Sequence, residues 1–181
     1  MDPIFSINET SEADYLQVRR FIELVDTDFY PPLSERGGGI PERVDAGLDT
    51  PKGNFLVARL KERDSSDHTD GIVGMVGYTR NWKSDDSAYI NFLATHPQHR
   101  NQGISRELCL RLEEFLGEQE IKRIYLCTWS SNPAAIKFYE KLGYYAYSVV
   151  LDDRGRGINT IYYKKDISIP MQNNNIRLDS R

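Results

Sequence analysis

The sequence predicts an α/β domain in which a mixed, mostly antiparallel central sheet is flanked by helices on both faces. Three observations predict it. Between Asn54 and Thr95, three strand-like runs follow one another through polar connections, as in an antiparallel meander. The third run leads into a helix-like segment and then another strand, the order of a parallel crossover. Tyr144–Leu151 and Ile158–Lys164 flank Asp152-Asp153-Arg154-Gly155-Arg156-Gly157 and read as a terminal hairpin.

The elements follow in order. Ile4–Ile7 is a short first strand. Ser11 is placed to cap a helix, with acids in its first turn. Tyr15, Val18, Ile22, Val25 and Phe29 then recur at steps of three or four, one apolar helix face, which Pro31-Pro32 ends. Ile40–Leu48 forms a short helix after three glycines. Asn54–Leu60 and Gly71–Tyr78 are strands, and charged Lys61–Asp70 between them is an exposed hairpin loop. Ala88–Thr95 is the third strand. Ile104, Leu108, Leu112 and Phe115 mark the buried face of a helix over Gly103–Leu116. Lys122–Trp129 is the next strand. Asn132 is the N-cap of the last helix, Pro133 suits its first position and Gly143 ends it.

The length of 181 residues suits one domain with a sizeable core, expected over 1–165, with 166–181 a frayed polar tail. Lys and Arg number 23 against 27 Asp and Glu, a net charge of -4. That balance opposes a general nucleic-acid binder but leaves room for a local basic pocket. No run approaches the ~18 apolar residues of a membrane span. Met1-Asp2-Pro3-Ile4-Phe5 lacks the basic and apolar regions of a signal peptide, so the expected compartment is cytoplasmic. Cys109 and Cys127 are too few for a disulfide framework and lack metal-ligand spacing, so no metal is expected.

The stretch His96 to Leu112 carries the chemistry. A strand, a polar turn with Gly103 and a helix start form a cradle for phosphate. First-turn amides of a helix lack partners within it, and the helix dipole attracts anions there. Gly103 lets backbone approach a ligand, and Arg100 and Arg106 add charge. Arg100-x-x-Gly103-x-Ser105 resembles the pyrophosphate loop of the GCN5-related N-acetyltransferase (GNAT) superfamily, with Ser105 where that motif has Gly or Ala. Asn132-Pro133-Ala134-Ala135-Ile136-Lys137-Phe138-Tyr139 and the following Glu140 to Tyr144 are similar to the family's second signature, Asn-x-x-Ala-x-x-x-Tyr-x-x-x-Gly-Phe. The resemblance spans residues 54 to 164.

The resemblance implies acetyl transfer from acetyl-CoA to a primary amine of a small molecule or peptide. It implies that the amides of Gln102, Gly103, Ile104 and Ser105, with Asn101 and Arg100, hold pyrophosphate. It implies that Leu93, Ala94 and Thr95 splay from their parallel neighbour and bind the pantetheine arm and thioester. Asn132, Ala135 and Tyr139 would contact CoA. Tyr139, seven residues after Asn132 and on nearly the same helix face, would be the catalytic hydrogen-bond donor to the leaving thiolate. Tyr30, Leu33, Ser34 and Arg36 become candidates for acceptor contact. No base is assigned: Tyr89 and Asn91 are poor bases at neutral pH, and Asp85, Asp86, His96 and His99 only flank the strand. A CoA-binding module without turnover and an acyltransferase for longer acyl chains remain open at this point. Dimers are common among relatives, so a homodimer is allowed.

Overall fold

A computed structural model describes residues 4–48, 52–61, 69 and 71–167. In chain order its elements are β1 (Phe5–Glu9), α1 (Tyr15–Val25), α2 (Gly39–Leu48), β2 (Gly53–Leu60), β3 (Ile72–Arg80) and β4 (Ser87–Thr95). They continue with α3 (Ile104–Gly117), β5 (Arg123–Trp129), α4 (Pro133–Lys141), β6 (Tyr145–Val150) and β7 (Thr160–Asp166). Seven strands form one sheet in the order β1-β2-β3-β4-β5-β7-β6. β4 and β5 run parallel, and every other neighbouring pair is antiparallel. The expected α/β class and mixed sheet are what the structure has.

Two apolar layers cover the sheet. On one face α3 inserts Ile104, Leu108, Leu112 and Leu116 among Val73, Val76, Ile90 and Ile124, and Tyr139 of α4 joins that layer. Each of the four α3 side chains is at most 2% exposed; burying each contributes roughly 1.5–3 kcal/mol. Close approach of α3 depends on Gly74, where a Cβ would lie 2.5 Å from the Ile104 side chain. On the other face α1 and α2 pack Val18, Phe21, Ile22, Ile40 and Val44 against Phe55, Met75 and Phe92. Alternation along β4 feeds both layers: Phe92 and Ala94 face α1 and α2, while Ile90 and Leu93 face α3.

α1 stops earlier than its apolar spacing suggests. A 3₁₀ turn over Asp26–Asp28 replaces its last turn, and Phe29 is extended. The Asp26 carboxylate accepts from the Ser34 amide and hydroxyl at 2.9 and 2.6 Å, which folds the chain back. Phe29 then stacks on Phe92, ring centroids 5.2 Å apart. At the other end, β7 reaches Asp166, Ile167 is buried, and its amide donates to Lys122 O at 2.8 Å. Most of the expected loop over Lys61–Asp70, with His68, lies outside the described residues, as does the tail from residue 168. No described helix is long and apolar enough to cross a membrane.

Candidate active site

β4 and β5 pair only at Ser87–Arg123, Ala88–Ile124 and Tyr89–Tyr125. Beyond Tyr89 the two strands part. β5 spends its other edge on β7 over its whole length. Asn91 is an extra residue in β4: Tyr78 pairs with Ile90 and Gly77 with Phe92. Such a bulge bends and twists its strand, which turns β4 away from β5 here. The His96 amide donates toward β3, to Val73 O at 2.9 Å. Amide direction alternates along a ladder, so Ala94 also points to β3 while Leu93 and Thr95 point into the gap. Their backbone faces a space that no described strand fills.

A cleft of about 680 Å³ occupies the gap. Leu93, Ala94, Thr95, Arg100, Asn101, Ser105, Asn132, Ala135 and Tyr139 line it, which brings together most of the residues singled out from the two sequence patterns. Gln102, Gly103 and Ile104 do not line it with side chains, and Ile104 is core. What they can offer is backbone: Gly103 has φ of 82° at the start of α3, after Asn101 at 62°. The pair of left-handed residues turns the chain from the 3₁₀ turn Pro97–His99 into α3. Ser105 Oγ lies 2.6 Å from Thr95 Oγ1, so the hydroxyl ties the helix start to the end of β4. Arg100 is bound to the Asp28 carboxylate, and its Nε donates to Thr95 O at 3.4 Å.

On α4, Asn132 Oδ1 accepts from the Ala135 amide at 3.1 Å and caps the helix. The cap uses only the oxygen and leaves the side-chain NH₂ donors for a ligand. Tyr139 packs against Tyr144, Phe138 and Tyr163 with centroids 5.8, 5.2 and 6.4 Å away. Burial pushes its phenol well above the ordinary range, with Cys109 and Cys127 adding to the shift. It therefore stays a neutral donor at physiological pH. Tyr89 donates to Cys127 Sγ at 3.0 Å across the mouth of the gap. Burial first, then Cys127, raises Tyr89 as well.

The four residues named for the acceptor separate. Arg36 lines the cleft. Leu33 is 1% exposed within the α1 and α2 layer, Ser34 is engaged with Asp26, and Tyr30 is exposed outside the cleft. Five lining residues carry no local signal of their own in the sequence: Asp28, Arg43, Tyr89, Cys127 and Arg154. They arrive from separate elements, and only the register of the sheet and the turn after α1 bring them together.

The model of the Acetyltransferase (GNAT) family matches residues 18–144. The chain belongs to this GNAT family. "Probable N-acetyltransferase camello" of Xenopus laevis is 29% identical over 100 residues, 53% of this chain and 46% of that protein. The match thus spans about half the length of that curated relative. Among solved structures, Arabidopsis thaliana NAA60 in complex with a bisubstrate analogue is 15% identical with a TM-score of 0.71, covering 91% of this chain and 99% of that one. The ribosomal-protein-S18-alanine N-acetyltransferase of Escherichia coli is 19% identical with a TM-score of 0.70, covering 94% and 98%. A Bacillus anthracis structure solved in complex with acetyl coenzyme A is 22% identical with a TM-score of 0.58, covering 68% of each chain. At these identities the likeness to solved structures concerns the fold. The GNAT match ends at Tyr144, so the β6–β7 hairpin and Arg154 lie beyond it.

The two cysteines differ in access. Cys109 is buried on α3, and burial pushes its thiol up to about 12. Cys127 is half-buried in the cleft. We predict that iodoacetamide labels Cys127 and not Cys109 in the folded protein, and that acetyl-CoA slows the labelling. Mass spectrometry of tryptic peptides reads both. Equal labelling of Cys127 with and without acetyl-CoA would remove the gap as the thioester site.

Proposed function

We propose that this GNAT protein transfers an acetyl group from acetyl-CoA to the nitrogen of a primary amine by direct attack on the thioester. The observation that carries the reading is the parting of β4 from β5 beyond Tyr89, with the glycine turn opening α3 at the end of β4. The residues fit the donor's parts. The amides of Gln102 to Ser105, at a helix N-terminus, would hold its pyrophosphate. Arg100 would add charge through the guanidinium donors that its pair with Asp28 leaves free. The gap-facing amides of Leu93 and Thr95 would hold the pantetheine arm and meet charge that builds on the thioester oxygen, a contribution of roughly 3 kcal/mol per preorganised donor. Acetyl-CoA supplies the activated acetyl group; this chain's residues bind, orient and donate hydrogen bonds.

Tyr139 would donate to the departing sulfur. At ordinary values a phenol is a weaker acid than an alkyl thiol by about 1.5 units. The cleft that raises Tyr139 disfavours a thiolate in the same way, so the gap between them survives burial. A hydrogen bond that strengthens as sulfur charge grows is the stabilising act, without full proton transfer.

Among the described lining residues there is no histidine, and the one carboxylate, Asp28, is paired with Arg100. The amine therefore arrives unprotonated or loses its proton to water. We predict that kcat/KM for the amine rises with pH up to the acceptor's own pKa, and that the break moves when an amine of different pKa is used. A break fixed near neutrality for all amines would point to a side-chain base.

The direct test is thiol release from acetyl-CoA with amines supplied by class, and mass spectrometry of the products. Release with acetylated amine is expected. Binding of acetyl-CoA with no thiol release from any amine would favour a CoA-binding module. Release only from longer thioesters would move the donor.

A further inference from the structure

We infer that the acceptor amine carries a second group that is anionic, a carboxylate or a phosphate, bound by Arg36, Arg43 and Arg154. The inference rests on the transferase reading above and names the substrate class of the same cleft. The whole protein is acidic, with a net charge of -4. The cleft reverses that sign: Arg36, Arg43, Arg100 and Arg154 line it against Asp28 alone. Arg100 and Asp28 neutralise each other. Three guanidinium groups remain.

Their placement separates them from the pyrophosphate turn. That turn opens α3, whose apolar residues pack on one face of the sheet. Arg43 belongs to α2, which packs on the opposite face, and Arg36 to the segment leading into it. Arg154 belongs to the β6–β7 turn, and its guanidinium carbon lies 5.8 Å from the Trp129 ring centroid. Trp129 alternates with Leu126, a member of the α3 layer, so it too faces away from that layer. A donor entering from the α3 side would meet the trio only across the gap, where the acceptor must stand.

Arg36 and Arg43 have no carboxylate within ion-pair distance among the described residues, and Arg154 shares its one, Asp153, with a hydroxyl. Arg36 is held by neutral carbonyls, Nη2 to Pro31 O at 2.9 Å and to Tyr30 O at 3.3 Å. Arg43 reaches only Asn91 O, at 3.4 Å. Arg154 lies 3.6 Å from Asp153, whose Oδ2 also accepts from Thr160 at 2.5 Å. Burial, then Arg43 and Arg154, lowers the Arg36 pKa, against smaller opposing effects of Cys127 and Asp26, so Arg36 senses both of the other guanidinium groups. Half-buried like charges with spare donors are costly until an anion joins them. Arginine's planar fork suits carboxylate and phosphate in particular.

The test uses the full chain and amines matched apart from charge: β-alanine against β-alaninamide, O-phosphoethanolamine against ethanolamine, and peptides with acidic against neutral second and third residues. They are compared at equal concentrations of unprotonated amine. The anionic member of at least one pair should have kcat/KM higher by about tenfold or more, the effect of a charge-assisted contact. Which pair responds tells a free amino acid or phosphoamine from a peptide end. Arg43→Gln with Arg154→Gln should raise KM for the anionic amine and leave acetyl-CoA affinity unchanged. Arg43→Lys in place of Arg43→Gln should restore part of the preference. Arg36 is left intact because it holds the Tyr30–Pro31 backbone. Neutral amines that serve equally well, or a preference that survives the double substitution, would overturn the inference. If no amine is turned over, the transferase reading fails separately, and succinate and inorganic phosphate then probe the trio. Their stabilising the CoA-loaded wild type but not the double variant upholds the anion site, and no such difference overturns it.

Discussion

Tyr139→Phe is expected to lower kcat by about tenfold to a hundredfold, the worth of one hydrogen bond to a charged group, roughly 1.5–3 kcal/mol. Acetyl-CoA affinity should change little, because the donor sulfur carries little charge before the bond breaks. A loss confined to kcat marks an interaction made in the transition state. The substitution removes one oxygen and keeps the ring, so contacts with Phe138, Tyr144 and Tyr163 persist. The phenol is also not a partner in any described hydrogen bond that the fold would miss. Thermal stability should therefore hold. Single-turnover thiol release separates chemistry from product release. An unchanged single-turnover rate would remove Tyr139 from the reaction and leave it as a core aromatic.

Gly103→Val is expected to abolish detectable acetyl-CoA binding in a protein that still folds. At φ of 82° a side chain is strained, and a β-branched one most of all. The strain of roughly 1–2 kcal/mol is smaller than a domain's usual stability of about 5–15 kcal/mol. A Cβ at Gly103 would meet nothing within 4 Å, so no clash adds to it. The turn is expected to relax toward negative φ, which re-aims the amides that open α3. Losing two amide contacts to a charged phosphate at roughly 1.5–3 kcal/mol each would weaken binding by about a hundredfold or more. Calorimetry with acetyl-CoA reads affinity, and a circular dichroism melt reads the fold. Normal affinity in a folded Gly103→Val protein would sink the assignment of the turn. Gly103→Ala, with less crowding at the same φ, should fall between.

Much of the architecture was legible because local rules decided it. Strand periods of two and helix periods of three to four located β2, β4, α3 and β5 within a residue or two. Asn132-Pro133 and Gly143 marked both ends of α4, and the Asn132 cap and the Gly143 φ of 87° have the form that those residue types favour. The end of α1 was less legible. Its apolar spacing continues to Phe29, but the Asp26 carboxylate finds a stronger use in capping Ser34, and Phe29 is drawn onto Phe92.

By itself the sequence determined that there is a glycine turn between a strand and a helix, and that a second helix begins at Asn132 and carries Tyr139. Those are short-range facts, set by backbone conformation and by which side chains can cap or face a core. The tertiary structure decided that β7 enters between β5 and β6, that the bulge at Asn91 turns β4 from β5, and that Leu93 and Thr95 aim their amides into the opening. It also decided that Arg36, Arg43 and Arg154, which no spacing in the chain connects, face one cleft. Sheet order and the meeting of distant charges depend on which surfaces bury against which, and residues more than a hundred positions apart carry no local mark of that.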